Sequence, residues 1–151
     1  MLTVYTDGAC LNNPGPGGWG VLILGAPESP IELSGYQAQT TNNQMELTAV
    51  IQALNWMKAH NLVEVILYSD SQYVLQGITQ WMTNWKRRGW MTASNDPVKN
   101  RELWQELDRA TIGLKIDWRW IRGHSGDINN DRVDFLARQQ ALNGGRTHAS
   151  Y

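Results

Sequence analysis

The sequence predicts an α/β fold in which an antiparallel three-stranded meander precedes a helical crossover to parallel strands. Short apolar segments in the first forty residues are separated by Gly- and Pro-rich stretches, which is typical of strands joined in a meander. A long segment with helical periodicity follows, and a nearly continuous apolar run comes directly after it. Because a strand–helix–strand crossover leaves its two strands parallel, the later strands are expected to run parallel to the first.

The first strand is predicted at residues 2–8, where apolar and polar side chains alternate and Asp7 stands near the far end. Gly8 is expected to permit a turn after it. The Pro- and Gly-rich segment that follows can be neither a helix nor a central strand, which predicts a loop. The predicted order is a loop at 10–18, strands at 19–24 and 31–36, and a turn at 25–30 between them.

The first helix is predicted to begin at Thr41, which has capping-box spacing to Gln44, although Asn42 or Asn43 are alternative caps. A broad apolar face predicts that this helix is largely buried. Glu46 stands in line with that face, so its carboxylate is expected at the open end of a core-facing stripe. The alternative for Glu46 is an acid favoured only by the helix dipole. The apolar face comprises Leu47, Val50, Ile51, Leu54 and Met57.

A fourth strand at residues 63–68 is predicted to be buried on both faces, and Asp70 follows it directly. Because this strand is expected to lie parallel to the first, Asp7 and Asp70 should meet at one edge of the sheet. A helix is predicted at 71–81, followed by a mixed basic and aromatic segment at 85–90 and a helix starting at Pro97. A half-exposed strand is predicted at 114–121, followed by a Gly-flanked loop that carries His124. The final predicted helix carries Asp134 and ends at Gly144 and Gly145.

Length, cysteine content and charge bound the class of protein. The 151 residues fit one domain, and the lone Cys10 excludes an internal disulfide framework. No apolar run is long enough to predict a membrane span. Residues 1–57 contain four acids and no Lys or Arg, whereas five basic residues fall between positions 86 and 101. Such a distribution suits an enzyme that grips a polyanion, although a basic run is also typical of a solvated helix face.

Four carboxylates are predicted to converge, namely those of Asp7, Glu46, Asp70 and Asp134. Clustered carboxylates repel one another unless a cation joins them, and oxygen-only ligands favour Mg²⁺ or Mn²⁺ over Zn²⁺. Two such ions about 4 Å apart activate water and stabilise the leaving oxygen in phosphoryl displacement. His124 on its loop is then a candidate proton shuttle, with an exposed bystander as the alternative.

Over nearly its whole length the sequence resembles bacterial ribonuclease H of type 1. The order and spacing of several short motifs carry the resemblance. They are Thr6-Asp7-Gly8, Asn13-Pro14-Gly15-Pro16-Gly17-Gly18, Thr41-Asn42-Asn43, Met45-Glu46-Leu47, Ser69-Asp70-Ser71-Gln72-Tyr73-Val74, Gln76-Gly77-Ile78-Thr79-Gln80-Trp81, Asn84-Trp85-Lys86, Pro97-Val98-Lys99-Asn100, Gly123-His124 and Asp134 with Leu136-Ala137-Arg138.

The resemblance implies a five-stranded mixed sheet of order 3-2-1-4-5, the first three strands antiparallel, flanked by helices. It implies one catalytic domain over residues 1–143 with a flexible tail at 144–151, in a monomeric, cytoplasmic protein without membrane association. The implied activity is Mg²⁺-dependent cleavage of the RNA strand of RNA–DNA hybrids, with Mn²⁺ as a substitute, leaving 5′-phosphate and 3′-hydroxyl ends.

The resemblance also implies residue roles. Asp7, Glu46, Asp70 and Asp134 match the metal-binding carboxylates, and His124 matches a histidine that assists turnover. Asn13, Asn42 and Gln72 match minor-groove contacts to RNA 2′-hydroxyl groups, by which RNA differs from DNA. Thr41 and Asn100 match contacts to DNA phosphate. A basic handle, which we define as residues 81–90, is implied to hold the hybrid through Trp81, Trp85, Lys86, Arg87, Arg88 and Trp90.

Two features separate this chain from the usual pattern. Residues 91–96 carry Met91, Ser94, Asn95 and Asp96 where family members often have further lysines, which predicts weaker hybrid affinity and a smaller salt dependence. Asn12 stands where glycine is common, and asparagine tolerates left-handed backbone angles. The alternatives are a catalytically silent hybrid-binding module and an integrase or resolvase of the same superfamily. The complete carboxylate set disfavours the first, and the Asn42 and Gln72 matches disfavour the second.

Overall fold

One mixed sheet of five strands organises the described residues, 1–144, of the computed structural model. The strand order is β3-β2-β1-β4-β5, with β1, β2 and β3 antiparallel and both β4 and β5 in parallel register. The predicted fold class and strand order are therefore confirmed. The strands are β1 (Leu2–Cys10), β2 (Gly15–Leu24), β3 (Ile31–Thr40), β4 (Glu64–Ser69) and β5 (Lys115–Trp120).

Helices cover both faces of this sheet. The first lies on β1 and β2 with the fourth packed beside it, whereas the fifth covers β1, β2 and β3 from the opposite face. The helices are α1 (Asn42–Ala59), α2 (Gln72–Gln76), α3 (Met82–Arg87), α4 (Arg101–Thr111) and α5 (Ile128–Asn143), and a π-helical turn (Gly77–Trp81) joins α2 to α3. Among the helices described, none is long and apolar enough to cross a membrane.

The main core lies between α1, α4 and the sheet. Trp104 of α4 is fully buried there, beside Leu54 and Met57 of α1. A second apolar cluster brings Val133 of α5 against Tyr5 and Leu22 on the other face of the sheet. The alternation of Val4 and Tyr5 along β1 therefore divides the strand's side chains between the two cores.

The predicted turn at Gly8 and loop at residues 10–18 are wrong. Gly8 lies inside β1 opposite Trp19 of β2, and only residues 11–14 connect the two strands. Here the glycines allow a helix to approach the strand closely, and they do not form a turn. A Cβ at Gly8 would lie 2.4 Å from the backbone nitrogen of Glu46, and one at Gly18 would lie 2.4 Å from the carbonyl oxygen of Ala137. The third strand is also longer than predicted, extending to Thr40.

Several predicted boundaries also change. Pro97 does not start α4, because it forms a bridge with Met91 and the helix begins at Arg101 after a left-handed Asn100. The helix predicted at 71–81 is instead interrupted by the π-helical turn and continues to Arg87. The fourth strand is fully buried on one face only, since Ile66 and Tyr68 are partly exposed. Of the tail predicted at 144–151, residues 145–151 lie outside the described part of the chain.

Candidate active site

Three carboxylates from three elements meet at one edge of the sheet. The last residues paired between the parallel strands β1 and β4 are Thr6 and Ser69. Asp7 directly follows Thr6, and Asp70 directly follows Ser69. Glu46 reaches the same point from the first turns of α1. One oxygen from each of Asp7, Glu46 and Asp70 lies within 4.8 Å of the others. The parallel crossover and the helical periodicity thus place these acids together as predicted.

Helix α1 is fixed at its start by the predicted cap. The Thr41 hydroxyl accepts a hydrogen bond from the Gln44 backbone N–H at 3.2 Å. The second half of the capping box does not form, because the Gln44 side chain instead bonds Thr40 and donates to Asn100. The cap sets where Glu46 falls on the helix, two residues beyond Gln44, and the side chain is only 4% exposed.

The backbone amide of Gly8 holds two of the three acids. Its N–H donates to Oδ1 of Asp7 at 2.8 Å and also to Oε1 of Glu46. This is possible because α1 packs directly on Gly8, where any side chain would meet the helix backbone. A neutral donor shared by two carboxylates orients them, although it does not cancel their charge.

Burial and mutual repulsion disfavour ionisation of the cluster. The pKa of Asp7 is raised to about 7, chiefly by burial, with the charges of Asp70 and Asp134 contributing to the same rise. Burial also raises the pKa of Glu46 well above its usual range, with the charge of Asp7 adding to the effect. The pKa of Asp70 is raised as well, first by burial and then by the charge of Asp134. The cluster therefore binds protons in the absence of a cation.

The donor set fits a hard divalent cation. Three carboxylate oxygens close to one another match the ligands that Mg²⁺ and Mn²⁺ prefer, and none of the three is ion-paired to Lys or Arg within the described residues. A cation would offset the repulsion that raises these pKa values, so metal binding and ionisation are coupled.

Asp134 lines the same cleft but is not part of the three-carboxylate cluster. Its Oδ2 accepts hydrogen bonds from Nη2 of Arg138 at 2.7 Å and from Nε of the same residue at 3.1 Å. The fourth predicted acid is thus beside the cluster and paired with a cation one helical turn away. Its charge still reaches Asp7 and Asp70, whose pKa values it raises.

The histidine loop packs against Asp70. A Cβ at Gly123 would lie 2.9 Å from Oδ2 of Asp70, and the Trp120 indole donates to the Asp70 carbonyl at 3.2 Å. His124 follows with a left-handed backbone (φ 55°), and its exposed side chain lines the cleft with the acids. The loop therefore presents an imidazole at the mouth of the site.

Two of the amide-bearing residues predicted to contact substrate line the cleft, and the other two are tied to residues beside it. Asn42 and Gln72 line it directly, at the starts of α1 and α2. Asn13 is placed by its Oδ1, which accepts from the Asn42 backbone N–H at 2.9 Å. Asn100 is more constrained, because it accepts from Gln44 at 3.1 Å and donates to the Tyr73 hydroxyl at 3.1 Å.

The handle is built on tilted and edge-on contacts between aromatic rings. Trp85 lies between Trp81 and Trp90, with ring centroids 5.8 and 6.5 Å away, and packs edge-on against Trp104 at 5.3 Å. All three handle tryptophans are partly buried, and Trp85 and Trp90 pack against the main core and anchor the handle to it. Lys86 pairs with Asp108 at 3.2 Å, whereas Arg87 and Arg88 are exposed and form no ion pair with the described residues.

A sequence profile of the RNase H family matches residues 1–142. The chain belongs to the ribonuclease H family. The ribonuclease H of Shewanella loihica is 56% identical over 144 residues, a match that spans 95% of this chain and 89% of the relative. Members of the family are metal-dependent endoribonucleases, and this chain is therefore an enzyme of that kind, as the sequence predicted.

Solved ribonuclease H structures share the fold. LC9-RNase H1, described as a type 1 RNase H with the type 2 active-site motif, superposes with a TM-score of 0.84 at 36% identity, covering 97% of this chain and 73% of the other. LC11-RNase H1, solved in complex with RNA/DNA hybrid, has a TM-score of 0.73 at 24% identity over 95% and 98% of the two chains. The second likeness shows the fold alone.

Two features of this ribonuclease H site were missed by the sequence reasoning. The role of the Gly8 amide has no signature in the sequence, because a glycine inside a strand cannot be told from a glycine in a turn by sequence alone. The Arg138 contact had one, since Asp and Arg four residues apart on a helix are expected to pair.

Proposed function

We propose that this ribonuclease H hydrolyses the RNA strand of RNA–DNA hybrids by a two-metal-ion mechanism, leaving 5′-phosphate and 3′-hydroxyl ends. The observation that carries the proposal is the cluster formed at the open edge of the sheet by the buried Asp7 and Glu46 and the half-buried Asp70. Residues 1–143 form the catalytic domain in this proposal. The protein acts as a cytoplasmic monomer, with Mg²⁺ as its ion and Mn²⁺ as a substitute.

In this proposal the four acids together bind the metal ions. We assign Asp7 the central place, because its carboxylate interacts with those of Glu46, Asp70 and Asp134 and its burial makes an unpaired charge costly. Asp134 completes the set from α5. When bound, the divalent ions activate a water molecule and stabilise the leaving oxygen of the cleaved phosphodiester.

His124 handles protons beside the acids. Its side chain lies at the cleft mouth on a loop that touches Asp70, so it can exchange a proton between the cleft and solvent without leaving its place. An imidazole has one nitrogen that can donate a proton and one that can accept it, which suits repeated transfer. The residue assists turnover rather than holding the reacting phosphate.

Amide side chains select the RNA strand. Asn42 and Gln72 line the cleft and Asn13 is bonded to Asn42 beside it, so these side chains can contact the 2′-hydroxyl groups that DNA lacks. The DNA strand is held at Thr41 and Asn100 and along the handle. There Trp81, Trp85 and Trp90 fix the backbone that carries Lys86, Arg87 and Arg88.

The activity is tested with labelled hybrid, RNA duplex and DNA duplex, each with Mg²⁺ and with EDTA. We expect cleavage of the hybrid alone, dependent on Mg²⁺, with product ends identified by phosphatase treatment and religation. Asp70→Asn should abolish cleavage while leaving the circular dichroism spectrum unchanged. The control Glu106→Gln removes an exposed charge on α4 and should cleave normally.

Three results would contradict the proposal. They are cleavage of DNA duplex, cleavage of hybrid in EDTA, and full activity of Asp70→Asn. Hybrid binding without cleavage under all conditions would favour the catalytically silent module instead.

A further inference from the structure

The Asp134–Arg138 ion pair lies beside the carboxylate cluster, and the mechanism above gives no role to its basic partner. Both side chains line the cleft that contains Asp7, Glu46 and Asp70. Arg138 directs Nε and Nη2 at the same oxygen, Oδ2 of Asp134. That oxygen is engaged by a cation of the chain itself, within reach of the place where a metal ion would act.

The helix that carries this pair cannot shift easily. Gly18 and Gly20 of β2 face α5 so closely that a Cβ at either position would lie within 2.8 Å of the helix, against Ala137 and Leu136 respectively. Val133 and Ala137, which flank Asp134 on the inner face, are fully buried. Movement of the Asp134 carboxylate toward or away from the cluster is therefore a matter of its side-chain torsions rather than of the helix.

The Arg138 side chain is well placed to compete for this carboxylate. It is 61% exposed, against 22% for Asp134, so the guanidinium can leave into solvent at little cost. The positive charge also interacts with Asp7, which contributes to raising the pKa of Arg138. The guanidinium is thus a cation of the chain that lines the same cleft as the acids that a divalent cation would bind.

We infer that Arg138 is a positioning residue that holds Asp134 out of the carboxylate cluster until a divalent cation displaces it. This inference rests on the proposed function, in which Asp134 is a metal ligand. The pair lowers the affinity of the site for metal, because binding must break the contacts between the guanidinium and Oδ2. Exposed ion pairs at this helical spacing are weak, so the effect on the dissociation constant is about threefold.

The test measures Mn²⁺ binding directly, by isothermal titration calorimetry and by the electron paramagnetic resonance signal of free Mn²⁺, without substrate. Arg138→Gln should tighten binding about threefold, a size that follows from the weakness of the exposed pair. Arg132→Gln is the matched control, because it removes an arginine from the same helix whose partner is Glu32. It should change the Mn²⁺ dissociation constant less than Arg138→Gln does.

The decisive comparison uses the Asp134→Asn background. Asp134→Asn should weaken Mn²⁺ binding, and adding Arg138→Gln to it should then have no further effect, since the arginine acts through that carboxylate. An equal gain from Arg138→Gln in both backgrounds would show a general charge effect and overturn the inference. So would an unchanged dissociation constant for Arg138→Gln alone.

Failure of the proposed function has a different signature. If wild type binds no Mn²⁺ and cleaves no hybrid, both proposals fall together. If wild type binds and cleaves, and Asp134→Asn weakens binding while Arg138→Gln changes nothing, only the role of Arg138 falls. Circular dichroism of each variant shows that the helix is intact.

Discussion

Replacing Asp7 with Asn removes one charge from the crowded cluster and should make the metal-free protein more stable. Burial and neighbouring acids raise the pKa of Asp7 from 3.8 to about 7. A difference of that size corresponds to about 4 kcal/mol of unfolding free energy above pH 7. Because Glu46 titrates together with Asp7, part of that difference belongs to the pair rather than to Asp7 alone, and we expect a net gain of about 2 kcal/mol.

The pH dependence has a definite sign. The pKa of Asp7 is higher in the folded than in the unfolded chain, so folding favours the protonated form. Wild-type stability is therefore present at low pH and is lost as the pH rises from about 4 through about 7. The amide introduced by Asp7→Asn does not titrate, and the advantage of the variant should shrink by roughly 60% between pH 8 and pH 5.

Urea unfolding in EDTA, followed by far-ultraviolet circular dichroism, measures both effects. Glu106→Gln serves as the control, since an exposed charge should change stability by less than about 0.5 kcal/mol. Adding Mg²⁺ at pH 8 should stabilise wild type more than Asp7→Asn, because the ion binds the folded carboxylates. A variant no more stable than wild type at pH 8, or a gap independent of pH, would refute the reasoning.

Three further predictions concern packing, proton transfer and substrate affinity. Gly8→Ala should lower the free energy of unfolding in urea by about 1–3 kcal/mol, because the new Cβ meets the backbone of α1. The control is Gly113→Ala, where no atom lies within 4 Å of the new Cβ, so that any loss of stability there reports backbone strain and not a clash. His124→Ala should slow steady-state hybrid cleavage about tenfold or more without ending it, and complete loss would contradict an auxiliary role. Hybrid binding should weaken less steeply with salt than in a relative whose residues 91–96 are lysine-rich, and equal slopes measured side by side would contradict this.

The positions of Asp7, Asp70 and Glu46 were predictable, because they follow from the order of the strands and from the helical periodicity of apolar residues. A parallel crossover forces the ends of β1 and β4 to one edge, so Asp7 and Asp70 meet whatever the detail of the loops. Glu46 follows from the spacing of apolar residues on α1, together with the Thr41 cap. These inferences use local patterns and one general rule of chain connection. The roles of the acids in metal binding stay predictions.

The errors arose where one residue type serves two purposes. Glycine provides left-handed backbone at Gly25 but close approach at Gly8 and Gly18, and sequence alone does not separate these uses. Proline often begins a helix, yet Pro97 pairs with Met91 in a contact that depends on the placement of the handle. Such features depend on tertiary neighbours that periodicity does not encode.

The amide of Gly8 has a consequence for how this site is dissected by mutagenesis. A scan of side chains would register the loss of Asp7 or Glu46 and would never register the backbone N–H that joins them. Every replacement except proline keeps the amide donor and adds bulk, so its effect reports crowding rather than the missing donor, and proline would remove the donor but add a ring as well. Substituting the amide by an ester through chemical synthesis would delete the donor alone. Part of the site is thus formed by the main chain, and side-chain substitutions do not test its contribution.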